Sequence, residues 1–389
     1  MMACTGCALL CEDVEVQDGE VRHACRIGTA HILNRQQIDP MVDQKVVDID
    51  DAIRHAAAML ADAERPMFLG FGNSITETQS SGVRLAEKIC AGIDPCSVHT
   101  GLINEIVHSR VRTCTLPEVR DHADVIMFWG ADPMNTHPRL LSGYAYYPRG
   151  KNRQHGWEED RTAIAIDVRR SHTASICKSF HKIIPGRDTE FIDGLILALR
   201  NKVPKTVYDS KKVLKLAGTL KKAEFGVIFA GSEMLGSVPC DAIIRLMDEL
   251  NEFSDFRILS LYHQYNLRSI AAATNTDTAV SCERPGGCDP TRLREADCLL
   301  CVGFDLANSL PQARDIDASI IVIDPNETLT SGYADVVIPC ASGGVDLAGT
   351  AMRMDGAEID LPCIMKNGQT DALTRMSDLN IMDRLLEAV

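Results

Sequence analysis

The chain is short of positive charge. Its 389 residues carry 40 basic and 54 acidic side chains, a formal charge of -14. That argues against a general electrostatic grip on nucleic acid or an anionic membrane, though not against a local basic pocket for an anionic cofactor. It lacks any apolar run approaching the roughly 20 residues that span a bilayer. Its N-terminus has no basic segment followed by an apolar one, so export is not expected and the reading is a cytoplasmic protein with no membrane span. Two phosphate signatures are also missing: neither a Gly-x-Gly-x-x-Gly motif nor a P-loop occurs, which sets NAD and ATP aside.

Cysteine, by contrast, is plentiful, with 15 in the chain. In a cytoplasmic protein these read as thiols and metal ligands rather than disulfides. Cys90, Cys177, Cys298, Cys301 and Cys340 stand in apolar surroundings and are expected to be core packing, since free cysteine behaves as a small hydrophobe.

Four cysteines at the front differ. In "CTGCALLCED" and "RHACRIG", Cys4 and Cys7 are separated by two residues, Cys7 and Cys11 by three, and Cys25 follows after thirteen. Four thiolates can close a tetrahedral zinc site or an iron–sulfur cluster. Structural zinc favours two pairs of similar spacing, whereas three ligands in one loop and one at a distance suit a [4Fe-4S] cubane. The intervening "VEVQDGEV" predicts two short strands around an Asp-Gly turn, which would fold the chain back to deliver Cys25. A cluster at the front of a larger enzyme implies electron transfer.

From about residue 50 strands and helices alternate, which predicts an α/β fold with doubly wound parallel sheets covered on both faces. "DIDDAIRHAAAMLADAE" has the three- and four-residue spacing of an amphipathic helix. "RPMFLGFGNS", "ADVIMFWGADP", "RTAIAIDVRRS", "EFGVIFAGSEM", "DFRILSLYHQYN", "ADCLLCVGFDLA" and "ASIIVIDPNETL" each read as an apolar strand ending in Gly, Asp, Asn or Ser. Ligands of open α/β sheets bind beyond such carboxyl ends, where backbone amides can approach phosphates, and the recurrence points to a large nucleotide-bearing cofactor. In "IDVRRSHTAS", Asp167 ends a strand and Arg169, Arg170, Ser171 and Thr173 follow, a set suited to pyrophosphate. Gly186, Arg187 and Asp188 in "IIPGRDTEF" precede a helix in a similar way.

The order of these pieces resembles the molybdopterin oxidoreductase superfamily, and within it the B subunit of formylmethanofuran dehydrogenase. "CTGCALLCEDVEV" with "HACRIG", "FWGADPMNTHPR", "AIDVRRSHTAS" and "ADVVIPCASGGVDLAGTAMRMDG" carry the resemblance, in order and over essentially the whole chain. It implies a [4Fe-4S] cluster on Cys4, Cys7, Cys11 and Cys25. It also implies a bis-molybdopterin guanine dinucleotide carrying tungsten or molybdenum, and reversible reduction of CO2 to formate. Implied partners are a small barrel subunit completing the pterin site, an amidohydrolase-like subunit that uses the formate with methanofuran, and ferredoxin-like electron-transfer subunits. Gly130, Asp132, Pro133 and Asn135, with His137 and Arg139 behind, would form a turn against the cofactor. Asn73, Gly303 and Asp305 would hold corresponding turns, and "HQYN" at His263 to Asn266 would lie near the substrate. The resemblance further implies a cluster domain at 1–48, a cofactor domain from 49–98 plus 210–345, an inserted one at 99–209, and a C-terminal segment at 346–389.

The chain departs from that pattern in two places. The family's metal ligand is a cysteine followed at once by a histidine; here "IDPCSVHTGL" puts Val98 before His99, with Cys96 three residues upstream of that histidine. Three readings stay open: Cys96 ligates through a shifted loop, the metal takes a non-protein sulfido, oxo or hydroxide group instead, or the chain is a divergent homologue without catalysis. His99 is the expected proton-transfer group. The substrate arginine matches Arg284 in a shortened "SCERPGGCDPTRLREAD", flanked by Cys282 and Cys288; Cys114 reads as structural.

Overall fold

The computed structural model describes residues 2–17, 19–34, 38–274, 290–364 and 375–389. The first strands, β1 (Glu15–Gln17) and β2 (Glu20–Arg22), pair antiparallel as the predicted hairpin, with Val16 opposite Val21. Helix Arg26–Leu33 follows directly after Cys25.

The remaining strands, in chain order, are β3 (Met41–Val42), β4 (Lys45–Val46), β5 (Pro66–Gly70), β6 (Gly92–Asp94), β7 (Val125–Trp129), β8 (Thr162–Asp167), β9 (Ser179–Lys182), β10 (Gly226–Ala230), β11 (Phe256–Ser260), β12 (Cys298–Val302), β13 (Ser319–Asp324), β14 (Val336–Pro339), β15 (Gly349–Met352) and β16 (Glu358–Leu361). Two sheets hold most of them, one ordered β11-β10-β7-β8-β9 and the other β4-β3-β14-β13-β12-β5-β6. The first is wholly parallel, and the second is parallel apart from the edge pairs made by β3. Every residue of β5, β7, β10 and β12 is buried, as expected of central parallel strands with helices on both faces.

Strand pairing divides the chain differently from the expected boundaries. The expected boundaries place residues 226–260 with 49–98, yet β10 lies beside β7, Gly226 opposite Val125 and Ala230 opposite Trp129. Membership of a sheet is set by such long-range pairing, which local apolar patterning does not encode. Cys90 also departs from expectation: it is exposed, not packed. It sits at φ 56 just past helix Thr76–Lys88, where its N–H bonds to Glu87 and that of Ala91 to Ala86, so it serves as a left-handed helix terminator.

The C-terminal helix Asp378–Ala388 caps this chain's own sheet. Thr78 Oγ1 donates to Asp378 (2.9 Å), Ser81 Oγ to Asp383 (2.6 Å), and Arg384 to Asp50 (2.7 Å). The β15–β16 hairpin holds Arg353 and Asp355, a buried bidentate pair at 2.8 and 2.9 Å. Arg353 also reaches Glu12 (3.2 Å), and Asp355 accepts from the amide of Leu116 (2.7 Å). The hairpin thereby ties the N-terminal cysteine segment to the body of the protein.

Candidate functional site

The strand exits of the two sheets converge. Beyond β11, Asn266 sends its side chain to Ser74 O (2.9 Å) and its amide to Gly72 O (2.9 Å), both just past β5. Beyond β6, His99 reaches across to Ser260 at the end of β11 and to Ser232 past β10. Two surface hollows, of about 1200 and 1240 Å³, lie elsewhere, around Arg200 and Glu249 and around Asp124 and Lys215; neither holds an expected site residue.

Cys4, Cys7, Cys11 and Cys25 line one partly open hollow of about 310 Å³ together with Gly6, Leu9, Val14, Ala24, Gly28, Pro138 and Arg139. The loop delivers the first three and the hairpin returns the fourth, as its spacing predicts. Glycine is required at 28, since a Cβ there would lie 2.7 Å from Cys4 Sγ. Burial pushes the Cys7 thiol up to about 12 and the Cys11 thiol up to about 11, so thiolates here need a cation to hold them. Among the described residues no group of three or more His, Cys, Asp or Glu is drawn close enough to hold a metal ion. The thiols face a shared hollow without closing to single-ion spacing.

This cysteine segment is docked on the turn after β7. Arg139 forms a fork with Asp13, Nη1 to Oδ1 at 2.5 Å and Nη2 to Oδ2 at 2.6 Å, and donates to His23 O (2.8 Å). From the other side, Arg26 donates to Asn135 O (3.2 Å) and its Oδ1 (3.3 Å). Asn135 in turn donates to Asp132 (2.7 Å), which accepts from Thr173 N (3.1 Å) and Oγ1 (2.6 Å). Two stretches read separately in the sequence, "WGADPMNTHPR" and "IDVRRSHTAS", are therefore one structure at adjacent strand exits.

Gly130 has φ 57, and a Cβ on it would lie 2.5 Å from Met234 N, so the turn needs glycine for its own packing. Pro133 is buried. His137 is buried too, its Nε2 bonded to Tyr262 O (2.8 Å) and its ring stacked 5.2 Å from that of His263. Arg139 belongs to the cysteine cavity rather than to the open turn.

At the end of β8, Asp167 is buried and its carboxyl raised by that burial, while it accepts from Arg169 N at 3.0 Å. Ser171 caps the next helix by accepting from Ala174 N (3.2 Å). Arg169 and Arg170 make no ion pair among the described residues. Gly186 has φ 75, and Arg187 pairs with Glu190 at 2.7 Å. Asp188 is occupied internally, accepting from Trp129 Nε1 (2.9 Å) and Ser237 Oγ (3.1 Å).

In the other sheet, Asn73 donates to Gly303 O (3.0 Å), joining the exits of β5 and β12. Asp305 is taken up by Thr330 Oγ1 (2.7 Å) and Leu329 N (3.0 Å). The sequence reading missed Asp324, at the end of β13. It is half-buried, accepts from Asn326 N (2.8 Å), and desolvation pushes its carboxyl up to about 7. It mirrors Asp167: each ends a strand as Ile-Asp and accepts the amide two residues on, a signal present in "IDVRRS" and "IDPNET".

His99 is locked. Nδ1 meets Ser260 Oγ at 2.8 Å and Nε2 meets Ser232 Oγ at 2.9 Å, and burial lowers its pKa to about 3. Both serines went unnoticed in the sequence, because nothing local ties them to a histidine more than 130 residues away. Val98 packs against the apolar core of the five-stranded sheet. Cys96, at φ 53, packs against the core of the other sheet. It is disulfide-bonded, a departure from the expectation of thiols: a sulfur so engaged offers no thiolate to a metal. Arg284 lies outside the described residues.

The fold defines the class of protein first. Acetylene hydratase from Pelobacter acetylenicus matches all of this chain and 68% of its own at a TM-score of 0.70 and 11% identity. A chain of the formyltransferase/hydrolase complex from Methylorubrum extorquens, solved with methylofuran, matches 90% of this chain and 98% of its own at 0.68 and 20%. This is therefore the two-sheet α/β architecture those chains share. No family model matches the sequence. Two curated relatives do, each the B subunit of a tungsten-containing formylmethanofuran dehydrogenase 2. That of Methanocaldococcus jannaschii is 31% identical, covering 92% of each chain, and that of Methanococcus maripaludis is 28% identical, covering 100% of this chain and 98% of its own. The chain belongs to the family of formylmethanofuran dehydrogenase B subunits.

Proposed function

We propose that this chain is the redox subunit of a cytoplasmic formylmethanofuran dehydrogenase complex serving methanogenesis, interconverting CO2 and formate. The observation that supports it most is the cysteine-lined cavity abutting the turn where strand exits converge. Cys4, Cys7, Cys11 and Cys25 would hold a [4Fe-4S] cluster, whose iron supplies the cation that the buried thiols need. Arg169 and Arg170, with the backbone turns at Asn73, Gly130 and Gly303, would bind the pyrophosphates of a bis-molybdopterin guanine dinucleotide; Asp167 and Asp324 would present carboxyls to its polar ends. When bound, that tungsten or molybdenum group supplies the two-electron exchange in which CO2, two electrons and a proton give formate. Within the chain, Ser232 is the exposed hydroxyl of the His99 nest and the point at which a proton could enter or leave it. The small barrel, amidohydrolase-like and ferredoxin-like subunits are the proposed partners.

A second reading is favoured by one region. His99 has both nitrogens occupied, Val98 is packed in the core and Cys96 is in a disulfide, so the segment offers no thiolate ligand. On that reading the chain keeps the fold and cluster for electron relay or assembly. Anaerobic metal and pterin analysis of the native complex, paired with formate oxidation coupled to a viologen dye, separates the two. One heavy metal per chain with turnover supports the enzyme; iron without heavy metal or turnover supports the relay.

A further inference from the structure

We propose that Arg139 is a positioning residue that sets the reduction potential of the cysteine-held cluster, through a guanidinium clamped by Asp13 against the cluster wall; this rests on the cluster reading above. Among the described residues that line the cysteine cavity, Arg139 is the one charged side chain. It belongs to the β7 turn, not to the cysteine loop, so its presence there is a product of docking. Both Nη atoms are committed to Asp13, at 2.5 and 2.6 Å, and Nη1 also donates to His23 O at 2.8 Å. Asp13 and His23 flank the hairpin between Cys11 and Cys25, so the fork fixes both arms that deliver the ligands.

Reduction adds one negative charge to a cluster already surrounded by four thiolates. Net charge and hydrogen bonding around the sulfurs are what tune such potentials. A cation fixed beside the cluster stabilises the reduced form more than the oxidised one, and because Arg139 is partly exposed the bidentate clamp is what holds its charge in place. Asp13 offsets part of this effect, but Arg139 lines the cavity and Asp13 does not, so the guanidinium is the nearer charge.

The test is an anaerobic potentiometric titration of the full chain followed by EPR, with iron and acid-labile sulfide counted first. Parent protein without iron removes the cluster reading itself and, with it, the inference. With about four irons held, Arg139→Met is expected to shift the redox equilibrium about tenfold towards the oxidised form, a fall of about 59 mV for a one-electron couple, while Arg139→Lys shifts it less. Equal potentials in all three, or an equal fall in both variants, overturns the proposal, since the latter is a loss of packing and not of charge. Should Arg139→Met fail to retain iron, Asp13→Asn carries the test: it keeps the guanidinium and a side-chain oxygen to accept from it while removing the opposing charge, so the potential is expected to rise, and an unchanged or lower potential overturns the proposal.

Discussion

The cysteine cavity and the His99 nest lie at two ends of one convergence of strands, yet they are built on opposite principles. In the first, four reactive groups are turned inwards onto shared space, with thiols raised by burial and a guanidinium beside them. In the second, a reactive group is saturated: both imidazole nitrogens meet hydroxyls and the ring stays neutral. A site awaiting a cofactor leaves its donors unsatisfied within the protein, whereas a structural histidine has them met by its neighbours. The contrast sets four thiols facing shared space against a histidine whose two nitrogens are already met.

The largest expected effect is on what holds the cysteine segment down. Arg353→Ala leaves Asp355 charged and fully buried and cuts the tie to Glu12, which should cost about 3–5 kcal/mol in denaturant unfolding. A loss under about 1 kcal/mol would mean the segment is anchored elsewhere.

Breaking the nest comes next. His99→Ala strands two serine hydroxyls, one of them buried, and should cost about 2–3 kcal/mol while leaving iron content unchanged. Loss of iron in that variant would show that the two ends are coupled, and the comparison would fail.

Acid sharpens the same contrast. His99 and His137 stay neutral in the fold, with pKa lowered to about 3, but protonate near 6.5 when unfolded. Their stabilisation is whole above about pH 6.5 and falls as pH drops below it, by up to about 1.4 kcal/mol per unit for each. Asp324 and Asp378 act oppositely: raised to about 7 and about 6, they are penalised when ionised and relieved as pH falls. His99→Gln should therefore lose less Tm between pH 7 and pH 5 than the parent chain; an equal loss would mean the ring is not held neutral.

The smallest effect is at the docking surface. Arg26→Ala removes two exposed hydrogen bonds to Asn135 and should cost no more than about 1 kcal/mol, with iron retained. A larger loss would make the docking of the cysteine segment depend on Arg26 and not chiefly on Arg139.

Much of this was legible in the chain itself. The central strands announced themselves because buried parallel strands are continuous apolar runs closed by Gly or Asp, as in β5, β7 and β12. The hairpin before Cys25 followed from an Asp-Gly pair between alternating residues, and the four thiols from their spacing. These are local properties, and the residues that encode them are the residues that express them. What the tertiary structure decided were the meetings across long separations. It put β10 and β11 beside β7, turned Asp132, Asp188 and Asp305 into internal ties, gave His99 its two serines, and brought Arg139 out of a strand-exit turn to the wall of the cysteine cavity. A carboxylate or guanidinium looks the same in a sequence whether it faces a ligand or a neighbour, because only the packed fold fixes which partner lies within hydrogen-bonding distance.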